Sequence, residues 1–369
     1  MAWTKYQIIL GVVMVITGSL NTLTTKWADK LSAAGSDGVV RQFDHPFLQS
    51  STMFLGEIYC LLAFKLILFY QIYKQRQGNS YEESTATRGN QEFNPMIFLP
   101  PALCDMVATS LMYIGLNLTH ASSFQMLRGS VIVFVALLSM AFLERQLVWK
   151  HWTGISLIVL GLFLVGWADI MHSGQDTDIN GTITGDLLII MAQIITAMQM
   201  VYEEKYVNSK DINPLQAVGW EGTFGFLALA LLHIPFYYWK VPPPFSNNSR
   251  GTLEDIPDAF VQMSNNKLII VALIGTVVSI AFFNFAGISV TKELSATTRM
   301  VLDSVRTLII WAVSLALSWQ EFHLLQVLGF FFLIQGMCVY NDLLPSFASL
   351  RRRLRNDEDP LISQPPDQP

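Results

Sequence analysis

The sequence predicts an all-α polytopic membrane protein whose ten transmembrane helices form a five-plus-five inverted repeat. Three observations predict this class. The 369 residues are 52% hydrophobic and only 14% charged, which is too apolar for ordinary soluble domains. Ten apolar segments are long enough to cross a bilayer, and the two halves of the chain resemble each other at a fixed spacing. The net charge of -5 leaves no basic footprint that would predict nucleic-acid binding.

The ten segments each contain roughly 20 apolar residues, the length that a helix needs to cross the hydrocarbon core. Only a few residues separate the third segment from the fourth, around Thr119 and His120, and the eighth from the ninth, around Thr291 and Lys292. These two pairs are therefore predicted as tight helical hairpins. In chain order the predicted spans are approximately 7–27, 47–70, 95–117, 121–143, 151–170, 184–206, 215–238, 267–288, 294–318 and 323–344.

Positive residues predict the orientation, because Lys and Arg accumulate on the cytosolic side of membrane proteins. With a cytosolic N-terminus, thirteen of them fall on the cytosolic side and six on the other. The three N-x-[ST] sequons, at Asn117, Asn180 and Asn247, agree, since all lie on the non-cytosolic side. Asn180 and Asn247 are predicted glycosylation sites, whereas Asn117 lies too close to the membrane. The first apolar run reaches Trp27 without a small-x-small cleavage site, which favours an uncleaved first helix; cleavage would leave nine spans.

An internal repeat emerges when the sequence is shifted by 175 residues without a gap. The shift places 120–127 (HASSFQML) on 295–302 (SATTRMVL) and two glycines of the fifth span on two of the tenth. An odd number of spans between equivalent segments reverses their direction, and many secondary transporters share such an inverted repeat. The predicted units are an N-terminal five-helix repeat (1–171), a lumenal linker (172–183), a C-terminal five-helix repeat (184–344) and a disordered cytosolic tail (345–369).

The ninth span is apolar but carries Arg299, Asp303 and Arg306, which lie along one face of a helix at i, i+4 and i+7. That face is predicted to line a substrate path, because a charge near the bilayer centre is costly unless it pairs or meets water. The shift of 175 residues sets Arg128 on Asp303, which predicts an ion pair between the fourth and ninth spans. Either this pair is purely structural, or the arginines line a cavity and bind an anionic substrate with their planar forks.

Carboxylates in other spans are candidates for coupling or gating: Glu57 in the second, Asp105 in the third and Glu221 in the seventh. Buried carboxylates can carry protons in coupled transport, but an arginine partner would hold them ionised and structural. Asp105 follows two prolines, so a hinge is equally compatible with its position. Lys292, at the short turn after the eighth span, is predicted to form a gate or to contact lipid headgroups.

Neutral polar residues within the spans are candidate substrate ligands: Asn21, Gln125 and Asn284. Such groups more often hydrogen-bond a neighbouring helix. Glu203 and Glu204, near the end of the sixth span, are predicted to be solvated.

Enzyme activity, a metal site and a bound cofactor are not predicted. Cys60, Cys104 and Cys338 all lie in apolar segments, so no disulfide framework is indicated. The sequence has no CxxC or HExxH pattern, and no His, Ser or Cys constellation converges.

Two stretches between spans are polar. Residues 75–92 are predicted as a disordered cytosolic loop, and residues 242–266 as a lumenal loop with a short helix at 251–263.

The C-terminal tail carries RRRLR followed by DEDPLISQPPDQP. Asp357, Leu361 and Ile362 fit an acidic dileucine signal, which cytosolic sorting adaptors recognise. This signal predicts a late endosomal or lysosomal membrane with both termini cytosolic; a mitochondrial or Golgi membrane is the alternative. The basic run could also contact anionic lipid.

Several strings resemble a known family: ASSFQMLRG (121–129), SATTRMVLDSVRT (295–307), FLPPALCDM (98–106) and FFNFAGISVTKEL (282–294). They are similar to the drug/metabolite transporter superfamily, in particular to the nucleotide-sugar-transporter-like solute carrier family 35 and its subfamily F. The resemblance covers Met1 to Asp342. It implies a ten-helix transporter whose central cavity opens alternately to either side and is lined by helices one to four and six to nine. It also implies a homodimer through helices five and ten. The FYNN and GALNK motifs of Golgi nucleotide-sugar carriers do not occur, so the substrate does not carry over.

The sequence therefore predicts a secondary transporter that moves a small organic, anionic metabolite by alternating access, and the resemblance implies a nucleotide-sugar or nucleotide-like substrate. Two alternatives stay open. One is a lysosomal exporter of amino acids or other small solutes. The other is a non-transporting membrane protein that regulates organelle membrane potential or cell survival.

Overall fold

The computed structural model describes residues 4–76, 89–118, 124, 127–144, 146, 148–172, 179–242, 248–316 and 324–340. Within these ranges the α-helices are α1 (Lys5–Lys30), α2 (Pro46–Arg76), α3 (Leu99–Leu118), α4 (Val131–Phe142), α5 (Trp149–His172), α6 (Ile179–Ser209), α7 (Pro214–Tyr238), α8 (Ile256–Asn265), α9 (Lys267–Glu293), α10 (Ala296–Ala316) and α11 (Leu324–Tyr340). Short 3-10 helices, Pro95–Phe98 and Arg128–Ser130, precede α3 and α4. Strands β1 (Ser32–Ala34) and β2 (Val40–Gln42) pair as an antiparallel hairpin.

Each of the ten predicted spans falls on one of these helices, and α8 is an additional short one. By length and composition, six described stretches can cross a membrane: 5–30, 46–76, 95–116, 181–209, 214–238 and 267–293. Shorter apolar helices lie at 128–142, 149–164 and 327–340. The chain is thus an all-α polytopic membrane protein.

The starts of several helices follow from local capping chemistry. Thr4 and Gln7 form a reciprocal capping box at the start of α1. Asn213 caps α7 with its side chain and is followed by Pro214, whose fixed φ suits the first helical turn. Asn266 caps α9 in the same way. Only two residues separate the end of α9 from the start of α10, so the predicted tight hairpin between the eighth and ninth spans is confirmed.

Four pairs of helices pack extensively: α1 on α9, α2 on α7, α3 on α6 and α5 on α11. Of the other two helices, α4 packs mainly on α6, and α10 packs mainly on α1. The largest buried apolar cluster lies where α4, α5, α6, α10 and α11 meet. On the outside, large apolar side chains are exposed, such as Phe69 at 71% and Leu231 at 70%. Soluble proteins rarely expose broad apolar faces, so these outer faces suit lipid.

Glycines set the direction of the α5–α11 pair. A Cβ on Gly154 would lie 2.8 Å from the carbonyl oxygen of Gly336, and one on Gly161 would lie 2.6 Å from that of Gly329. Residue numbers rise along α5 as they fall along α11, so the two helices run antiparallel. Glycine is required because any side chain would hold the backbones apart.

The α2–α7 pair shows the same relation. Gly219 lies against Leu61, Gly222 against Glu57, and Gly225 against Phe54. These helices therefore also run antiparallel.

An ordered cap, formed by residues 32–45 and 248–266, covers one end of α1, α2 and α9. The predicted short helix in this region is confirmed as α8, whereas the β-hairpin was not predicted. Asn265 Nδ2 donates to the Ala34 carbonyl over 2.7 Å, and Phe43 is fully buried between the hairpin and the helix ends. Buried His45 and Glu254 lie 2.6 Å apart. The second Glu254 oxygen accepts from the backbone N–H groups of 47 and 48, which caps α2.

Asp258 joins α8 to the hairpin, and this contact predicts how the cap responds to pH. Burial raises the pKa of its carboxyl, but hydrogen bonds from Ser36 and Gln262 more than offset this, so the pKa lies below its usual value. A lowered folded-state pKa stabilises the cap above the unfolded pKa, and this stability is lost as the pH falls through the folded pKa. Asp258→Asn should therefore speed hydrogen exchange of the hairpin amides at pH 7.

The difference in exchange between Asp258→Asn and the unsubstituted protein should shrink below the ordinary Asp pKa of about 3.9. Glu92→Gln, at an exposed position outside the cap, is the control and should leave the exchange of the hairpin amides unchanged. An equal effect of both substitutions at pH 7 would contradict the assigned role of Asp258.

Candidate functional site

A cavity of about 260 Å³ lies between the helices. Its lining residues come from α1, α2, α3, α4, α6, α7, α9 and α10, with two from the segment before α4. The first to fourth and sixth to ninth predicted spans correspond to α1–α4, α6, α7, α9 and α10, so this lining matches the prediction. The charged lining residues are Lys26, Asp29, Glu57, Asp105, Arg128, Glu203, Glu221, Arg299, Asp303 and Arg306.

Arg299 lies in a group of buried polar residues at one end of the cavity. Its Nη1 atom lies 2.6 Å from Glu203 Oε2, in an ion pair whose side chains are 6% and 0% exposed. Gln199 Nε2 donates to Glu203 Oε1 over 2.9 Å and to Glu221 Oε1 over 2.7 Å. The hydrogen bonds thereby link α6, α7 and α10.

Glu57 belongs to the same end of the cavity. Asn284 Nδ2, from α9, donates to Glu57 Oε1. The second oxygen, Oε2, is buried and has no hydrogen-bond partner among the described residues. Asp105 of α3 also lines this end and interacts electrostatically with Glu57 and Glu203. We refer to Glu57, Asp105, Glu203 and Glu221, together with Arg299, as the acid end.

Two of the remaining charged residues, Asp303 and Arg306, lie farther along α10. Arg306 Nη2 is 2.9 Å from Asp303 Oδ1, three residues earlier on the same helix, and its guanidinium carbon is 4.7 Å from the ring centroid of Phe283. The guanidinium of Arg128 lies 5.8 Å from the Phe124 ring centroid. We refer to Arg128, Asp303 and Arg306 as the basic end.

The predicted ion pair between Arg128 and Asp303 is wrong: among the ion pairs of the described residues, Asp303 is joined to Arg306. Residues three apart on a helix are immediate neighbours, so Arg306 reaches Asp303 without depending on how the two halves pack. Arg128 takes part in no ion pair within the described ranges. Arg299 and Arg306, which were also expected to meet an anionic substrate, are each in an ion pair, with Glu203 and with Asp303.

Three glycines make room for the charged side chains. A Cβ on Gly18 of α1 would lie 2.5 Å from Arg306 Cδ, and one on Gly287 of α9 would lie 2.9 Å from Arg299 Nε. Gly222 of α7 faces Glu57 in the same way. The charged residues therefore pack against helix backbone, which limits their freedom to move away from the cavity.

The structure brings most of the predicted site residues together. The cavity lining includes nine of them: Asn21, Glu57, Asp105, Arg128, Glu221, Asn284, Arg299, Asp303 and Arg306. Asn21 also donates to the Thr276 carbonyl over 3.3 Å, the helix-to-helix bond that was the alternative for such residues. Gln125, Asn247, Asp357, Leu361 and Ile362 lie outside the described residues. Asn180 lies at the start of α6.

Lys292 lies apart from the cavity. Its Nζ atom is 2.7 Å from Asp211 Oδ1 and donates to the carbonyl of Ile212 over 3.0 Å. Lys292 therefore joins the end of α9 to the α6–α7 turn. A gate would require such a contact between the end of one helix and the turn between two others. The Asp211 side chain, however, is largely exposed.

The prediction that Glu203 and Glu204 are solvated is wrong. They are 1% and 3% exposed, because α10 packs over this part of α6. Glu203 pairs with Arg299, and Glu204 Oε2 accepts from the Ala296 N–H at the start of α10. The spacing of Gln199 and Glu203, four residues apart on one helix face, was the sequence signal that could have indicated their contact.

Comparison with known proteins gives the family. The sequence model of the nucleotide-sugar transporter family matches residues 4–216. The chain is 56% identical to human solute carrier family 35 member F6, over 93% of this chain and 91% of that protein. It is 34% identical to an uncharacterised protein of Schizosaccharomyces pombe, over 91% and 98% of the two chains.

More distant similarities agree. CMP-sialic acid transporter 1 of Arabidopsis thaliana is 23% identical over 55% of each chain. A solved crystal structure shares the fold with a TM-score of 0.55 and 14% identity, over 95% of this chain and 99% of the other. The membrane-spanning helices around a charged cavity and the family match lead to one conclusion: the chain belongs to the nucleotide-sugar transporter family, with close relatives in solute carrier family 35.

Proposed function

We propose that the chain is a secondary transporter that carries a small organic metabolite across a membrane by alternating access. The observation that carries this proposal is the cavity, which is lined by charged side chains from both halves of the chain. Charges inside a membrane protein are costly and therefore mark substrate or ion paths by default. A non-transporting protein that regulated membrane potential or cell survival would have no need of such a cavity.

The mechanism rests on an inverted repeat of five helices in each half, which we propose for three reasons. Equivalent helices of the two halves, α5 with α11 and α2 with α7, run antiparallel. The 175-residue shift maps Gly154 on Gly329 and Gly161 on Gly336, and the same four glycines meet in crossed order. Finally, exchanging the halves maps the packed pair α1–α9 onto α6–α3 and the pair α4–α6 onto α10–α1, and it leaves the pairs α2–α7 and α5–α11 unchanged. Rocking one half against the other around a fixed site would then alternate access.

We propose an anionic group on the substrate, which Arg128 would bind. Its planar guanidinium can bind carboxylate or phosphate oxygens with two parallel hydrogen bonds. A nucleotide-like substrate agrees with the family and with the CMP-sialic acid transporter among its relatives.

One observation favours the alternative, export of amino acids or other small solutes. The cavity volume of about 260 Å³ is below the range of about 300–1,000 Å³ that is usual for drug-sized ligands. A nucleotide sugar, with a base, two sugar rings and two phosphates, would need a larger cavity than this conformation provides.

We also propose an orientation in the membrane, an organelle and an oligomeric state. Both termini would be cytosolic, the cap would be lumenal, and the tail signal would direct the protein to lysosomes through sorting adaptors. A homodimer would use the outer faces of α5 and α11, where Phe163 and Phe331 are exposed by 64% and 53%.

Counterflow into proteoliposomes tests the proposal. Nucleotide sugars, nucleotides, amino acids and small organic acids would be loaded in turn, and the exchange of labelled solute would be measured. For a transported anion, Arg128→Ala should raise the half-saturating concentration roughly 10- to 100-fold, because a hydrogen bond to a charged group contributes about 1.5–3 kcal/mol.

Arg76→Ala, at the exposed end of α2, is the matched control and should leave counterflow unchanged. Arg128→Lys should restore part of the affinity, since it keeps the charge but not the planar fork. If no solute of any class exchanges, the transporter proposal fails. If Arg128→Ala leaves exchange of anions unaffected, Arg128 does not bind the substrate.

A further inference from the structure

The acid end of the cavity carries more negative charge than its positive partner can balance. Four carboxyl groups, those of Glu57, Asp105, Glu203 and Glu221, share this end of the cavity with the single guanidinium of Arg299. Glu203 is ion-paired with Arg299, and the other three are in no ion pair among the described residues. If all four were ionised, three negative charges would remain without a cation inside the membrane, which is strongly unfavourable.

A cation or protons must therefore neutralise this end. We propose that the acid end is a cation subsite that binds a protonated amine of the substrate in exchange for protons. The inference rests on the proposed transport function and deepens it by naming a chemical group of the substrate.

Glu57 is the second observation that points to a ligand here. The residue is 4% exposed and lines the cavity, and its Oε1 atom accepts from Asn284. Its Oε2 atom has no hydrogen-bond partner among the described residues. An ammonium group has three donors and no acceptor, so it supplies what this oxygen lacks.

Three of the six groups that face Glu57 are carboxyl groups, which only accept hydrogen bonds when they are ionised. The six groups come from every element packed around it: Cys60 on its own helix, Asp105 on α3, Glu203 on α6, Glu221 on α7, Asn284 on α9 and Arg299 on α10. The donors among them are already engaged: Asn284 donates to Glu57, Arg299 to Glu203, and the Cys60 thiol to the carbonyl of Ala281. An incoming cation therefore meets carboxylate oxygens on several sides.

Exchange follows from the charge balance. In the empty site the carboxyl groups without a cation carry protons. When the ammonium binds, a carboxylic acid releases its proton to water and the carboxylate binds the ammonium, so the total charge is conserved. One oxygen cannot hold a proton and an ammonium together, so substrate and protons would move in opposite directions.

The two ends together favour a zwitterionic substrate. Arg299 and Arg306 are seven residues apart, which is about 10 Å along a helix at about 1.5 Å per residue. The amine would bind at the acid end and an acidic group at Arg128 of the basic end. A nucleotide sugar without an amine would not use the acid end.

The first test is binding to the purified full chain, measured as a shift of the unfolding temperature. The probes are primary amines, amino acids and short peptides, each paired with its N-acetylated analogue, alongside anions that have no amine. Amines should raise the unfolding temperature and acetylation should abolish the shift. Stabilisation by anions alone, or equally by acetylated and free amines, would overturn the subsite.

Glu57→Gln assigns the effect to this residue. Glutamine keeps the oxygen that accepts from Asn284 but removes the charge, so the amine affinity should fall roughly tenfold or more. Glu92→Gln, in an exposed loop, is the control and should bind amines normally. Glu221→Gln is the second variant should Glu57→Gln not fold, and normal amine binding by every folded variant would overturn the proposal.

Measurements in proteoliposomes distinguish the exchange of amine for protons from transport itself. A bound amine should be taken up faster when the interior is acidic, and the lumenal pH should rise as it enters. In Glu57→Gln the pH gradient should no longer drive uptake, while counterflow at equal pH persists at higher amine concentration. Counterflow of anions with no amine effect would overturn the subsite and leave the transporter intact. Absence of counterflow for every solute would instead remove the transport function.

Discussion

Arg299→Ala is expected to lower the free energy of unfolding by about 3–5 kcal/mol, the usual cost of removing one partner of a buried ion pair. Arg299 and Glu203 are 2.6 Å apart, and their side chains are almost completely buried. Without the guanidinium, Glu203 stays in a low-dielectric site beside three other carboxylates. The measurement is a denaturant titration of the purified protein in detergent, with the midpoint and slope compared between variants.

A double variant identifies the cause of the loss. Replacing Arg299 and Glu203 together by leucine removes both charges and keeps most of the packed volume, and buried pairs replaced in this way are often neutral in stability. The double variant should therefore regain most of the stability that Arg299→Ala loses, although transport should not recover. If the single and double variants are equally unstable, packing rather than charge pairing explains the effect.

The sequence was sufficient to predict the helices and the charged face of α10. Span length and apolar composition predicted each helix, because a membrane leaves a helix few alternatives. The stripe of Arg299, Asp303 and Arg306 predicted a polar face, because the same residues could not face lipid. These inferences use only local spacing, which the chain itself determines.

Pairing partners could not be predicted as well, because they depend on how helices pack. The acidic pair at 203–204 stands beside Lys205 at the end of an apolar segment, where solvation is the ordinary outcome. In the structure α10 crosses this part of α6 and buries both carboxylates. The predicted ion pair between Arg128 and Asp303 was wrong for a related reason, because equivalent positions in a repeat do not determine which side chains pair.

The β-hairpin of the cap was missed although the sequence carries a signal for it. Asp37 and Gly38 form the dipeptide that favours tight hairpin turns, and Gly38 has a φ of 77°. The strands are only three residues long and show no clear alternation of apolar and polar residues. They are stabilised by packing on α8, whose sequence lies more than 200 residues away.

Gly219→Ala is expected to destabilise the protein by about 1–3 kcal/mol, the usual cost of overpacking. A Cβ at this position would lie 2.6 Å from the backbone nitrogen of Leu61, so α2 and α7 would have to move apart. These helices carry Glu57 and Glu221, so the same substitution should displace two carboxylates of the acid end. Thermal unfolding and amine binding should therefore both decline.

Gly275→Ala is the matched control, because a Cβ there meets only the side chain of Thr24, with its nearest methyl at 3.0 Å. Alanine favours a helix over glycine by about 1 kcal/mol, so the control should be neutral or slightly stabilised. The same intrinsic gain applies to Gly219→Ala, where the clash with backbone must outweigh it for the prediction to hold. If both variants unfold at the same temperature, the close approach of α2 and α7 at Gly219 is not required for stability. The antiparallel crossing that supports the inverted repeat would then rest on the α5–α11 glycines alone.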